Sequence, residues 1–213
     1  MPKLSGSGWS VALVVVLVCA PAAALAQPDS ARVEQRRNDC RLAAQVLRTG
    51  HPAPKSDWAL AVIPTCGADG AQALGEAIRA LRTSTDTITL DKLTRPALWL
   101  RDNSLFNAAL EIGADRSATP QARVFAMRTL LWVMVPGGGV GYADLADEVQ
   151  GRTRNCLGFG PSTHVLVRRG EPLPSDFEQR IRSLATRIIN DPLEPRPVRR
   201  AAACAQLFRP SRR

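Results

Sequence analysis

Histidine is almost missing from this 213-residue chain: His51 and His164 are the only two. The five cysteines never form a C-x-x-C pair. Both absences argue against a zinc site, whose ligands recur at short spacings. No Gly-Lys-Ser/Thr follows a glycine run, which removes the P-loop, and no Gly-x-Ser-x-Gly offers a nucleophile elbow. Lysine is scarce as well, with three against 25 arginines. Past the leader, no stretch approaches the roughly 20 apolar residues of a transmembrane helix.

The one long apolar run that is present, Val11 to Cys19, has Lys3 ahead of it and Ala24-Leu25-Ala26 behind it. Nine apolar residues between a charged start and a small-residue site read as a cleaved signal peptide over 1–26. Cleavage after Ala26 leaves a single domain over 27–213 in the periplasm or outside the cell. A lipid anchor at Cys19 competes, but Val18 is larger than such processing tolerates; a retained anchor is a further alternative.

Four cysteines survive cleavage, Cys40, Cys66, Cys156 and Cys204, an even number where disulfides persist. Three pairings are open; proximity along the chain favours Cys40 with Cys66 and Cys156 with Cys204. Charge is distributed unevenly. Residues 27–150 carry 14 basic and 14 acidic residues, whereas 151–213 carry 13 against 5. Arg168, Arg169, Arg196, Arg199 and Arg200 lie in that basic third and can attract phosphate, sulfate or carboxylate groups. A solvated basic face is the plainer account.

Apolar residues recur at helical spacing through most of the chain. The spacing predicts helices over Ala31 to Arg48, from an Asp57 cap to Ile63, from Ala68 to Arg82 and from Leu90 to Leu100. A further helix follows the Asp102-Asn103-Ser104 cap and runs to Gly113. Another runs from a Thr119 cap and Pro120 to Val135. Thr83 to Thr89 is hydroxyl-rich and reads as a loop. Residues 136–174 are irregular and suit an insertion or small hairpin. Ser175 and Glu178 have the spacing of a capping box. That helix ends at Asp191-Pro192, and a last one follows Pro195 and Pro197. Trp99 and Trp132 are either core residues or part of an exposed patch, and helical spacing favours the core.

A helix, turn, helix unit occurs twice. Ala109, Ile112, Asp115, Arg123, Ala126 and Leu131 match Ala185, Ile188, Asp191, Arg199, Ala202 and Leu207, every pair being separated by the same distance along the chain. At these residues the chain resembles HEAT repeats, in which a helix ends near Asp, a turn often holds Pro, and Val-Arg precedes small and apolar residues. Val198-Arg199 and Ala201-Ala202 fit best, and Leu60 to Leu81 is a weaker third match. Because the separation from Asp115 to Asp191 is about two repeat lengths, a divergent unit is expected within Gly137 to Pro174. The resemblance implies an all-α, right-handed, HEAT-like α-solenoid of antiparallel helix pairs, in which Asp115, Arg123, Asp191 and Arg199 are structural. It also implies protein binding along an extended surface, and no reaction.

Other constellations are weaker. Gly139-Val-Gly141-Tyr-Ala imitates part of a dinucleotide turn, but Pro136 interrupts the junction. Ser162-Thr163-His164 supplies a nucleophile and a base as neighbours, which rarely face one another. Asp144, Asp147 and Glu148 are too few for a calcium loop. No residue is therefore assigned a catalytic or metal-binding role, and no cofactor is implied. The expectation is a non-enzymatic interaction module or scaffold whose partner is another envelope protein. The alternative is binding of an acidic lipid or polysaccharide by the basic C-terminal third; nucleic acid is not expected.

Overall fold

A computed structural model describes residues 29–50, 55–100, 102–134, 139–141, 145–152, 164–166 and 175–207. Helices occupy most of them: α1 (Asp29–Thr49), α2 (Lys55–Val62), α3 (Gly67–Ala80), α4 (Thr87–Leu100), α5 (Asn103–Ala114), α6 (Pro120–Met134), α7 (Leu145–Val149), α8 (Ser175–Asn190) and α9 (Arg196–Leu207). Two three-residue strands, β1 (Gly139–Gly141) and β2 (His164–Leu166), pair antiparallel with Val140 opposite Val165. The described residues are all-α apart from this minimal ladder. Among the described residues, no helix is long and apolar enough to cross a membrane.

Local chemistry explains where the helices begin. Asp102 accepts from the Ser104 N–H at 2.8 Å, and Thr119 Oγ1 accepts from the Ala122 N–H at 3.2 Å, so both caps fall where hydroxyl and carboxylate chemistry puts them. Asp86 does the same for α4, accepting from the N–H groups of Ile88 and Thr89. That cap starts α4 at Thr87, inside the stretch that its hydroxyls mark as a loop. Helix α2 starts at Lys55, which puts Asp57 within its first turn instead of at its cap. Gly67, at φ +60°, lets the chain turn from α2 into α3.

The helices pack in two series. In one, α1 touches α3, α3 touches α5 and α5 touches α8; in the other, α2 touches α4, α4 touches α6 and α6 touches α9. The pairs α3 with α4, α5 with α6 and α8 with α9 join the series. Between them lies one continuous core, rich in alanine, with Phe106, Phe125, Leu74, Ile78 and Leu130 among its largest apolar members. Small side chains at Ala108, Ala109, Ala126 and Ala202 let helix axes approach closely. Phe106 of α5 meets Phe177 of α8 edge to face with ring centroids 5.5 Å apart, a geometry that aromatic quadrupoles favour.

The internal repeat reappears as equivalent hydrogen bonds. After α5, the Asp115 N–H donates to Ile112 O, Asp115 Oδ1 accepts from the Ser117 N–H, and the Arg123 N–H donates to Thr119 O. After α8, the Asp191 N–H donates to Ile188 O, Asp191 Oδ1 accepts from the Leu193 N–H, and the Arg199 N–H donates to Pro195 O. The two units are neighbours in space, since α6 packs on α9 and α5 on α8. No helix pair separates them among the described residues. The expected intermediate unit is replaced there by α7, which packs on α4, α6 and α9, and by the β1–β2 ladder.

The unit that precedes α5 and α6 is α3 with α4, because these are the helices that continue the two series. Its turn uses Ser84 where the others use aspartate: the Ser84 N–H donates to Leu81 O, and Ser84 Oγ accepts from the Asp86 N–H. The weaker sequence match over Leu60 to Leu81 straddles α2 and α3 instead, out of step with the packing. Thr119 ties neighbouring turns together, its N–H donating to Arg82 O and its hydroxyl to Ser84 O at 2.6 Å.

Candidate functional site

A groove of about 590 Å³ runs between α2 and α4. Leu60, Ala61 and Pro64 form one wall, and Ile88, Pro96 and Trp99 the other. Ile88 is 69% exposed and Trp99 43% exposed, so the two largest apolar groups of the second wall face solvent. Helical spacing favours a core position for Trp99, and the structure corrects this: α2 packs on α4 without covering Trp99, which is exposed. Trp132 lies in α6, with its side chain outside the described residues.

Pro96 stands inside α4, where it has no N–H to offer the carbonyl of Lys92 four residues earlier. Both residues line the groove. Lys92 Nζ donates to Asp57 Oδ1 at 2.8 Å across the groove, with both side chains about half exposed. The lining thus combines an apolar floor with an ionic rim, a composition that suits an amphipathic partner more than a bond-making reaction.

Behind the groove lies a buried charge cluster. Arg128 of α6 is 2% exposed and donates through Nη2 to Asp91 Oδ1 at 2.6 Å, while its Nη1 lies 3.6 Å from Glu148 Oε2 of α7. Burial pushes the Glu148 carboxyl above the usual glutamate range, with Asp91 adding to the shift and Arg128 opposing it. Arg200 Nη1 donates to Gly151 O at 2.9 Å, so α7 and the turn after it are held at both α6 and α9. Asp147 pairs with Arg152. Asp147 and Glu148 are therefore committed to separate arginines, and Asp144 lies outside the described residues.

The four repeat positions differ in what they touch. Arg123 is 2% exposed; its Nε and Nη2 donate to Gly113 O at 3.2 Å, and its two Nη groups grip both oxygens of Glu194. Glu194 sits in the second unit's turn, so this ion pair links one unit to the next. Asp191 pairs with Arg116 from the first unit's turn. Asp115 accepts from the hydroxyl and N–H of Ser117, which together hold its carboxyl below the usual range. Arg199 is half-buried, and its Nε finds no hydrogen-bond partner among the described residues. The copies therefore share a backbone turn but not the arginine's contact. Nothing in the sequence around Glu194 marks it as Arg123's partner, because the pairing joins residues 71 apart.

Of the basic C-terminal residues singled out in the sequence, Arg196, Arg199 and Arg200 are described. Arg200 donates to Gly151, Arg199 is half-buried and Arg196 is exposed at the start of α9. Arg168 and Arg169 lie outside the described residues, as do Cys156, Ser162 and Thr163. Cys40 and Cys66 are joined in a disulfide that ties α1 to the start of α3. Cys204 is also disulfide-bonded, to a residue outside those described. Gly139 to Gly141, read as part of a nucleotide turn, form strand β1, and the apolar stretch before them is the end of helix α6. A strand, turn and helix order is therefore absent at that place. No protein-family model, curated protein or solved structure matches this chain.

Proposed function

We propose that this chain is an exported, non-enzymatic interaction module, a short HEAT-like solenoid of antiparallel helix pairs that binds another envelope protein. The leader over 1–26 carries the export reading, as it does from the sequence alone. Two-series packing and the turn hydrogen bonds that recur after α5 and after α8 support the solenoid. The observation that carries the binding role is the α2/α4 groove, where Ile88 and Trp99 are left exposed beside the buried Pro96. Tryptophan is among the residues that most often anchor interfaces, and an exposed apolar wall with an ionic rim is what such an anchor needs.

In the polyanion alternative Arg200 is the weaker candidate, since it already donates to Gly151 O. The test is affinity capture from envelope extract by the oxidised mature chain and by its Ile88→Glu/Trp99→Ala variant, washed at high salt. A partner protein kept by the first and lost by the second supports the reading. Equal retention by both, or loss from the wild type on raising salt, overturns it, because salt screens charge contacts and spares apolar ones.

A further inference from the structure

A second groove lies at the other side of the chain's N-terminal helices. Its volume is about 690 Å³, and its walls are α1 and the start of α3, with the Cys40–Cys66 disulfide between them. Along α1 the lining residues recur at helical steps, so Arg36, Arg37, Arg41 and Arg48 form one continuous stripe facing the groove. Asp69 is the one carboxylate in the lining, against four guanidiniums. Among the described residues, Arg36 and Arg37 make no ion pair or hydrogen bond, and Arg41 donates to the neutral Asn38 amide at 3.1 Å. Arg48 alone is neutralised, by Glu76 at 2.6 Å.

We propose that this groove binds a compact small molecule carrying two or more phosphate groups. Arg37 and Arg41, neither of them neutralised by a carboxylate among the described residues, are four residues apart, which sets them about 6 Å apart along the helix. That spacing places separate forks on separate anionic groups of one ligand. The planar guanidinium fork matches phosphate oxygens two at a time, which a lysine ammonium does not. The volume is that of a small-ligand pocket, and concavity favours a compact ligand over a flat membrane or a long polymer. The disulfide holds the two walls together before the ligand arrives, which lowers the ordering cost of binding. Gln72 and Thr65 add neutral polar groups to the walls. The site adjoins the α2/α4 groove at Thr65, which lines both, and does not depend on that groove's role.

The test is calorimetric titration of the full mature, oxidised protein with inorganic tripolyphosphate. The Arg37→Glu/Arg41→Glu variant should weaken binding at least ~10-fold, since reversing two charges turns a lining of net +3 into one of net −1. Arg196→Glu, at the far helix, should leave affinity within about twofold. Affinity should also fall several-fold between about 50 and about 200 mM salt. If the reversal variant does not fold by circular dichroism, Arg37→Gln/Arg41→Gln replaces it with the same expected direction. Tripolyphosphate binding that is unchanged in the α1 variants, or absent from the wild type, overturns the proposal. So does tighter binding of citrate than of tripolyphosphate, or binding confined to heparin or to anionic vesicles.

Discussion

Removing Glu194 should cost this fold more than removing any exposed charge, and the structure says how much. Arg123 and Glu194 have side chains only 3% and 5% exposed, and the guanidinium is gripped by both carboxylate oxygens. Glu194→Ala leaves the Arg123 charge buried with Gly113 O as its remaining acceptor. Stranding one partner of a buried pair costs about 3–5 kcal/mol. For a chain of this size each kcal/mol moves Tm by roughly 2–4 °C, so a fall of about 6–20 °C is expected. The isosteric apolar double variant Arg123→Met/Glu194→Leu should recover most of the loss, because it removes the desolvation penalty along with the attraction. Arg152→Ala is the control: its side chain is 60% exposed and that of its partner Asp147 45%, so its loss should stay below about 1 kcal/mol. Urea unfolding followed by tryptophan fluorescence measures all of these. A Glu194→Ala cost under about 1 kcal/mol, or a double variant no better than the single, would refute the reasoning.

Three further outcomes are expected. Reducing the Cys40–Cys66 bridge frees a loop of sequence separation 26, and chain entropy puts the loss at about 3.5 kcal/mol, readable as a lower urea midpoint of the Cys40→Ser/Cys66→Ser variant. Gly70→Ala should destabilise although alanine is the better helix former by about 1 kcal/mol, because the added Cβ would lie 2.4 Å from Ile63 O; an equal or higher Tm would show that the α3 contact gives way. Glu148 has a folded pKa raised by burial, so the folded state holds its proton more tightly than the unfolded chain does. Its contribution to stability therefore falls as pH rises from the usual glutamate range through the raised value. Glu148→Gln should flatten the stability profile above the usual glutamate range, and an unchanged slope would count against the burial argument.

The helices and their turns were legible in the sequence because their causes are local. Asp102 and Thr119 cap helices through atoms two or three positions away, and the paired unit carries the same backbone hydrogen bonds in both copies. Local reasoning failed where a competing local group was overlooked, as with Asp86, whose cap starts α4 before the apolar pattern resumes. It failed again at Trp99, since periodicity shows that a residue shares a stripe with core residues but not whether a neighbouring helix covers that end of the stripe.

The sequence by itself determined an all-helical chain, its turn chemistry, its paired repeat and a cysteine count suited to disulfides. Each follows from residue types within a few positions of one another or from constant spacing. Tertiary structure alone decided that Arg123 meets Glu194, that Arg128 draws Asp91 and Glu148 behind the α2/α4 groove, and that four arginines of α1 share a groove with the disulfide. Those contacts join residues tens of positions apart, and Coulomb attraction has no sequence signature until packing has brought the charges within reach.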